Sequence, residues 1–236
     1  MKAVYIWAVR AVRAVLRVTG LLAPLDRLAA HSRTVLWVRS WLSVYDLEDL
    51  LAFDVPWWTF TAADRVEAFL GERPDSRVFE WGSGASTVWL GRRCGTVFSV
   101  EHDAAWADRM RSTLPSNARV QLVEPAPGGS VPSAKPGFAG LDFADYVAAI
   151  DDVAGPLDLI VIDGRAREAC LDRAVERLAS GGLIVLDNVD RARYRDAIAR
   201  YGQRLEVHWT RGRTPALPYP TRTALISVRP PAARAA

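Results

Sequence analysis

Residues 78–87 read Val-Phe-Glu-Trp-Gly-Ser-Gly-Ala-Ser-Thr, a short apolar run that ends near an acid and opens into two glycines. Gly82 permits a tight turn, and Gly84 lets a backbone approach a ligand with no Cβ in the way. The residues after Gly84 predict a helix whose first amides stand beside that approach. Glu101 lies 19 residues after Gly82, at the end of the next apolar run. An acid in that place can accept hydrogen bonds from both hydroxyls of a ribose. Glu80, two residues before Gly82, suits a cationic ligand better than a pyrophosphate. A dinucleotide fingerprint asks for a third glycine at position 87, and this chain has threonine there.

A second group of chemistry-bearing residues lies further along. Asp163 ends one apolar run and is followed by Gly164, Arg165, Ala166 and Arg167; Asp187 and Asn188 end another, 24 residues after Asp163. Two carboxylates and an amide carbonyl make a hard oxygen site that suits Mg²⁺. A metal there would stabilise the alkoxide that develops as a hydroxyl attacks. Without one, Asp163 is the candidate general base or substrate orienter. Arg165 and Arg167 could hold a carboxylate or phosphate on an acidic substrate. The plainer alternative has Asp187-Asn188 capping a helix from about Arg191 and Asp163 ordering its loop.

These residues need a scaffold that brings strand ends together. Strands are expected at 77–80, 96–100, 119–123, 157–162 and 183–186, with helices at 85–93, 104–113, 166–179 and 190–201. That alternation implies parallel βαβ units, and the unbroken apolar runs at 159–162 and 183–186 fit central strands buried on both faces. Two closing strands, 204–210 and 223–228, follow without a helix between them, which predicts an antiparallel last strand. Residues 125–140 are rich in Pro, Gly and Ser and read as a long mobile loop. A helix over 62–70 is expected with Thr61 as its N-cap. Residues 1–55 read as a helical extension with breaks at Gly20, Pro24 and Ser32, and 56–236 as the ligand-binding domain. Trp37 and Trp41, four apart, share a helix face and read as core.

Composition bounds the function. Half of the 236 residues are hydrophobic, and the net charge is only +3, so neither disorder nor a nucleic-acid partner is indicated. Cys94 and Cys170 are far apart and read as reduced thiols of a cytoplasmic protein. Residues 3–9 are apolar but too short to span a membrane. Arg10, Arg13 and Arg17 share one face of a helix over residues 1–18. Such a basic amphipathic helix lies on the inner face of an anionic membrane, docks on a partner, or packs on its own domain; the sequence leaves open whether the protein is an oligomer.

The stretch FEWGSGASTVWL followed by SVEHD resembles the class I S-adenosylmethionine (SAM)-dependent methyltransferases. It is most similar to a bacterial branch with an E-x-G-S-G-x-S-T loop. The likeness covers roughly residues 56–228 and implies a Rossmann-like, seven-stranded, mostly parallel sheet. By this resemblance Glu80, Gly82, Ser83 and Gly84 lie along the methionine part of SAM, and Glu101 holds the ribose. Ser86 and Thr87 begin the next helix, His102 flanks the adenine, and Asp163 faces the methyl group. Trp58 and Thr59 would close over the cofactor. The set Asp163, Asp187 and Asn188 resembles the metal site of catechol-type O-methyltransferases, although no matching lysine base stands beside Asp163. The expected reaction is O-methylation of a small-molecule, saccharide or glycolipid acceptor. A SAM-binding accessory protein without catalysis and a nicotinamide enzyme are the alternatives.

Overall fold

A computed structural model describes residues 2–43 and 46–229, with the side chains of residues 2–6 left out of the description. The first four helices are α1 (Lys2–Val18), α2 (Leu22–Ala29), α3 (Arg33–Ser40) and α4 (Leu47–Ala52), and α5 (Phe60–Gly71) leads into the sheet. Then come β1 (Arg77–Trp81), α6 (Ala85–Gly91), β2 (Thr96–Glu101), α7 (Ala104–Arg111) and β3 (Ala118–Leu122). A small pair, β4 (Ala126–Pro127) and β5 (Leu141–Asp142), precedes α8 (Ala144–Ala148) and a 3₁₀ turn at Ala149–Asp152. The chain closes with β6 (Leu157–Ile162), α9 (Arg167–Arg177), β7 (Leu178–Asp187), α10 (Ala192–Ala199), β8 (Leu205–Gly212) and β9 (Thr221–Val228).

The main sheet has seven strands in the order β3-β2-β1-β6-β7-β9-β8. All pairings are parallel except those of β9 with β7 and with β8. Strand β6 explains its own composition. Ile160 and Ile162 point into a cluster with Cys170, Leu171 and Ala174 of α9, while Leu159 and Val161 point into one with Val66 and Leu70 of α5. From Leu159 to Ile162 burial on both faces leaves no position for a polar side chain, which is why the run is continuous there, while Asp158, only partly buried, sits near the start of the strand.

Several local expectations need correction. Thr59, not Thr61, caps α5, its hydroxyl accepting from the Ala62 amide at 3.2 Å. Pro24 breaks nothing: it sits in the first turn of α2, where its missing N–H is not needed. Strand β7 begins at Leu178, five residues early, because the Gly181-Gly182 pair absorbs a register shift against β6. The 125–140 segment is tied down rather than free. The Asp142 carboxylate accepts from the amides of Ser130 and Val131 at 3.1 and 3.0 Å, and β4 pairs with β5. Helix α8 was not expected, since its five residues carry too short a pattern to show a period.

The N-terminal helices pack onto the sheet domain. Leu47 of α4 joins Val88, Ala107, Met110 and Val120 in one cluster. Trp37 stacks edge-on against Trp41 at 4.7 Å and donates its indole N–H to the Leu217 carbonyl at 2.8 Å.

The order in which strands are laid down reverses between β1 and β6, which stay parallel, and two loops approach closely there. Gly82 has φ +95°, and a Cβ on it would lie 2.7 Å from the Gly164 Cα. A Cβ on Gly164 would strike the Tyr146 hydroxyl and come within 3.0 Å of the Trp81 carbonyl carbon. Gly164→Ala is therefore expected to cost about 1–3 kcal/mol in urea unfolding. Adding Tyr146→Phe should recover part of that loss, and a Gly164→Ala protein as stable as wild type would contradict the packing.

Candidate functional site

In open α/β sheets ligands bind outside the C-terminal ends of the strands, at the reversal point. Gly82 and Gly164 mark that point here. The strand ends around it carry Glu80 and Glu101 on one side and Asp163, Asp187 and Asn188 on the other.

Glu80 is fully buried. Its carboxylate accepts from Ser86 Oγ at 2.5 Å, Thr87 Oγ1 at 2.5 Å and Ser99 Oγ at 3.0 Å. Thr87 Oγ1 also accepts from the Gly84 amide at 2.9 Å. The acid is thus the knot that ties the glycine loop to the start of α6, and Ser86 and Thr87 are its partners. Threonine at position 87 is needed for this knot, where a dinucleotide site would have glycine.

Glu101 organises the opposite side of the loop. One oxygen accepts from the Ser83 amide and hydroxyl, both at 3.1 Å. The other accepts from the amides of His102 and Asp103 at 2.7 and 3.0 Å and lies 2.6 Å from His102 Nδ1. Burial works against its charge, but the His102 contact and these amides hold the carboxyl below its ordinary value. Above Gly84 the protein leaves room: a Cβ there would meet only Ser86 Oγ, at 3.9 Å. Packing does not require a glycine at this position, so close approach by a ligand is the remaining physical reason for one.

Three aromatic residues complete this side, and none was expected from sequence. The His102 ring lies 5.3 Å from Phe138, 6.0 Å from Phe143 and 6.1 Å from Tyr146. Phe138 comes from the 125–140 segment, whose tethering by Asp142 sets its place. The only sequence signal was a lone aromatic residue in a Pro/Gly-rich stretch. Trp58 and Thr59, expected to close over the cleft, are buried under the sheet. Trp58 packs on Trp89 at 5.9 Å, and Thr59 bonds to Thr210 at 2.6 Å.

Asp163, Asp187 and Asn188 do converge, but around Arg167. This guanidinium is 5% exposed. It donates to the Asp163 carbonyl (2.6 Å) and carboxylate (2.7 Å), the Gly164 carbonyl (3.1 Å) and the Asp187 carbonyl (2.6 Å). Asp187 accepts from Thr223 Oγ1 at 2.6 Å and from the Asn188 side-chain amide. The donor set does not fit Mg²⁺: a resident cation already lies among these oxygens, and Asn188 turns its nitrogen toward the acid. Among the described residues no group of three or more His, Cys, Asp or Glu could hold a metal ion. Arg167, expected to bind an external anion, is consumed inside the fold. Asp187-Asn188 does not cap α10 either, whose N-cap is Arg191 with no side-chain bond.

A cavity of about 690 Å³ opens beside this cluster, lined by Asp163, Arg165, Arg191, Trp57, Tyr194 and Tyr219 among others. Ala166 (φ +47°) and Asn188 (φ +58°) are in left-handed backbone conformations on its rim. Such conformations cost non-glycine residues energy and gather at functional sites. Burial raises the Asp163 carboxyl, with Arg167 opposing the rise. Burial, and then the Asp163 charge, lift Asp187 to about 7.

No protein-family model matches the chain, and no curated protein matches it by sequence. Solved structures do match its fold. The O-methyltransferase from Bacillus cereus in complex with SAH aligns with a TM-score of 0.57 at 19% identity, over 78% of this chain and 90% of its own. A cofactor-bound protein from MTB aligns at 0.52 and 21% identity, over 79% of this chain and 89% of its own. A methyltransferase-like protein from Silicibacter pomeroyi aligns at 0.52 and 21% identity, over 74% and 89%. The chain therefore has the fold of the class I methyltransferases.

Burial lifts the Glu80 carboxyl from 4.5 to about 7. The folded protein holds this proton where the unfolded chain has lost it. Its stabilising contribution is complete below pH 4.5 and is lost as pH rises through about 7. Glu80→Gln cannot titrate, so its melting temperature relative to wild type should rise between about pH 5 and about pH 8; an unchanged difference would contradict the burial. Arg167→Leu leaves Asp163 without its buried partner and should cost about 3–5 kcal/mol. Neither Mg²⁺ nor EDTA should move the wild-type melting temperature, and a rise with Mg²⁺ would restore the metal reading.

Proposed function

We propose that this protein is a SAM-dependent methyltransferase that methylates an oxygen of an acid-bearing acceptor without a metal. One observation supports this most: the loop space above Gly84, with Glu101 and His102 at its side, and the Asp163 cavity meet at the Gly82–Gly164 crossing. In this reading Glu101 takes the ribose hydroxyls, with Ser83 Oγ and His102 Nδ1 giving up contacts to admit them. His102 and Phe138 flank the adenine, with the buried Phe143 and Tyr146 packed behind them, and the loop at Gly82, Ser83 and Gly84 follows the methionine part. Glu80, with Ser86 and Thr87, holds that loop in shape from behind.

When bound, SAM supplies an activated methyl group on a sulfonium. The protein must align the acceptor oxygen with the carbon–sulfur bond and exclude water, and little covalent catalysis is needed. Asp163 is the residue placed to orient the acceptor hydroxyl and take its proton. One of its oxygens is bonded to Arg167, its side chain retains 22% exposure, and it lines the cavity. Burial makes it a stronger base than an exposed carboxylate. Arg165 and Arg191 support an anionic acceptor. Both line the cavity, and among the described residues neither has a carboxylate within 4.0 Å. Arg165 Nε is buried with no hydrogen-bond partner, a donor that a carboxylate or phosphate would satisfy. A saccharide or glycolipid precursor carrying such a group fits this description.

Titration calorimetry should find SAM and S-adenosylhomocysteine binding, no NAD binding, and affinity at least about tenfold weaker in Glu101→Ala. With labelled SAM, acid-bearing acceptors should take methyl where neutral analogues do not, in EDTA as well as in Mg²⁺. Arg191→Gln should raise KM for them while leaving SAM affinity intact. Absence of SAM binding would overturn the whole reading, and preference for neutral acceptors only its acceptor half.

A further inference from the structure

The N-terminal helix leaves one side uncovered. Trp7 is 72% exposed, Val15 61% and Val18 89%. The helical period places these three, with Ala8, Ala11 and Ala14, on one face. Val12, 52% exposed, widens it. Most of the large exposed hydrophobic side chains of the described residues lie between Trp7 and Leu28, so this is a concentrated patch and not the scatter of a normal surface.

The other side of α1 is fastened. Arg13 pairs with Asp46 and with Asp49 at 2.7 Å, at the start of α4. The largely buried Arg39 of α3 ties the same Asp49 (3.1 Å) to Asp26 of α2 (2.6 Å). The basic residues that share a sequence face are thereby divided. Arg13 is turned in as an anchor, while Arg10 and Arg17 remain exposed at one margin of the apolar face. Neither has a carboxylate within 4.0 Å among the described residues. Residues 1–25 contain Lys2, Arg10, Arg13 and Arg17 and no acid at all.

We propose that α1 is an interfacial helix that seats the protein on an anionic lipid bilayer, with Trp7, Val15 and Val18 entering the headgroup boundary and Arg10 and Arg17 meeting lipid phosphates. Charge selects this occupant. A face with exposed guanidiniums at its edge and no acid complements an anionic surface, and it would repel a second copy of itself across a symmetric contact. The helix is about 25 Å long and would lie along the surface. No helix of the described residues is long and apolar enough to cross a membrane.

Sedimentation of the full chain with vesicles tests this. Vesicles of equal parts phosphatidylcholine and phosphatidylglycerol should carry the protein down, vesicles of phosphatidylcholine alone should not, and added salt should weaken the binding. Arg10→Glu with Arg17→Glu should lower partitioning about tenfold or more, as should Trp7→Ser with Val18→Asp. These are surface positions, so thermal melts should match wild type. Trp209→Ser, an exposed aromatic on β8, should change nothing. Three results would overturn the proposal: no binding to anionic vesicles, binding indifferent to both double variants, or a concentration-dependent dimer in ultracentrifugation that Trp7→Ser/Val18→Asp dissolves.

Discussion

Two backbones meet where the strand order reverses, between β1 and β6, with no room for a side chain between them. Gly82 and Gly164 make that contact, and the rest of the site is arranged about it. Because the β1 and β6 ends touch, the loop that would carry a nucleoside and the cavity that would carry an acceptor are neighbours. A methyl donor and a nucleophile must be held a few ångströms apart and in line, so a scaffold that fuses the two half-sites performs most of what the reaction requires. Gly84 serves differently. Its backbone is extended and its surroundings open, so its lack of a side chain leaves space on the ligand side.

Charge is settled locally around this crossing. The Glu80 carboxyl is buried among three hydroxyls, with no cation beside it among the described ion pairs, and its affinity for a proton rises accordingly. Arg167 does the opposite on the Asp163 side. One guanidinium binds carbonyls from both β6 and β7 ends and pairs with Asp163, so the strand ends are crosslinked and their negative charge is offset without a metal. Glu101 is held by Ser83, His102 and Asp103 on both of its oxygens, whereas Asp163 gives one oxygen to Arg167 and keeps part of its side chain exposed.

Much of this was legible in the sequence. Strand β6 was found to the residue because burial on both faces forces an apolar run, and the order of elements followed from strands alternating with helices. The Glu80–Glu101 interval located the loop and the acid of the second strand. The direction in which side chains point was harder to read. Glu80 looks ligand-facing from its position before the glycines, but strand alternation turns it onto the α6 side, where Ser86 and Thr87 enclose it. Arg167 looked like an anion receptor, but one helical turn from Asp163 it folds back onto the strand ends. The aromatic wall was invisible for a different reason. Phe138 sits in a stretch without periodicity, and its place is fixed by contacts made on folding, the Asp142 tether of its segment and its own packing on Phe143.

The central claim is that the Gly82–Glu101 unit holds SAM with its methyl group directed at Asp163. A crystal structure with S-adenosylhomocysteine tests it most directly. The account predicts the ribose on Glu101, the adenine against His102 and Phe138, and the sulfur facing the cavity lined by Asp163, Arg165 and Arg191. A nucleoside bound elsewhere, or a sulfur turned away from Asp163, would contradict it.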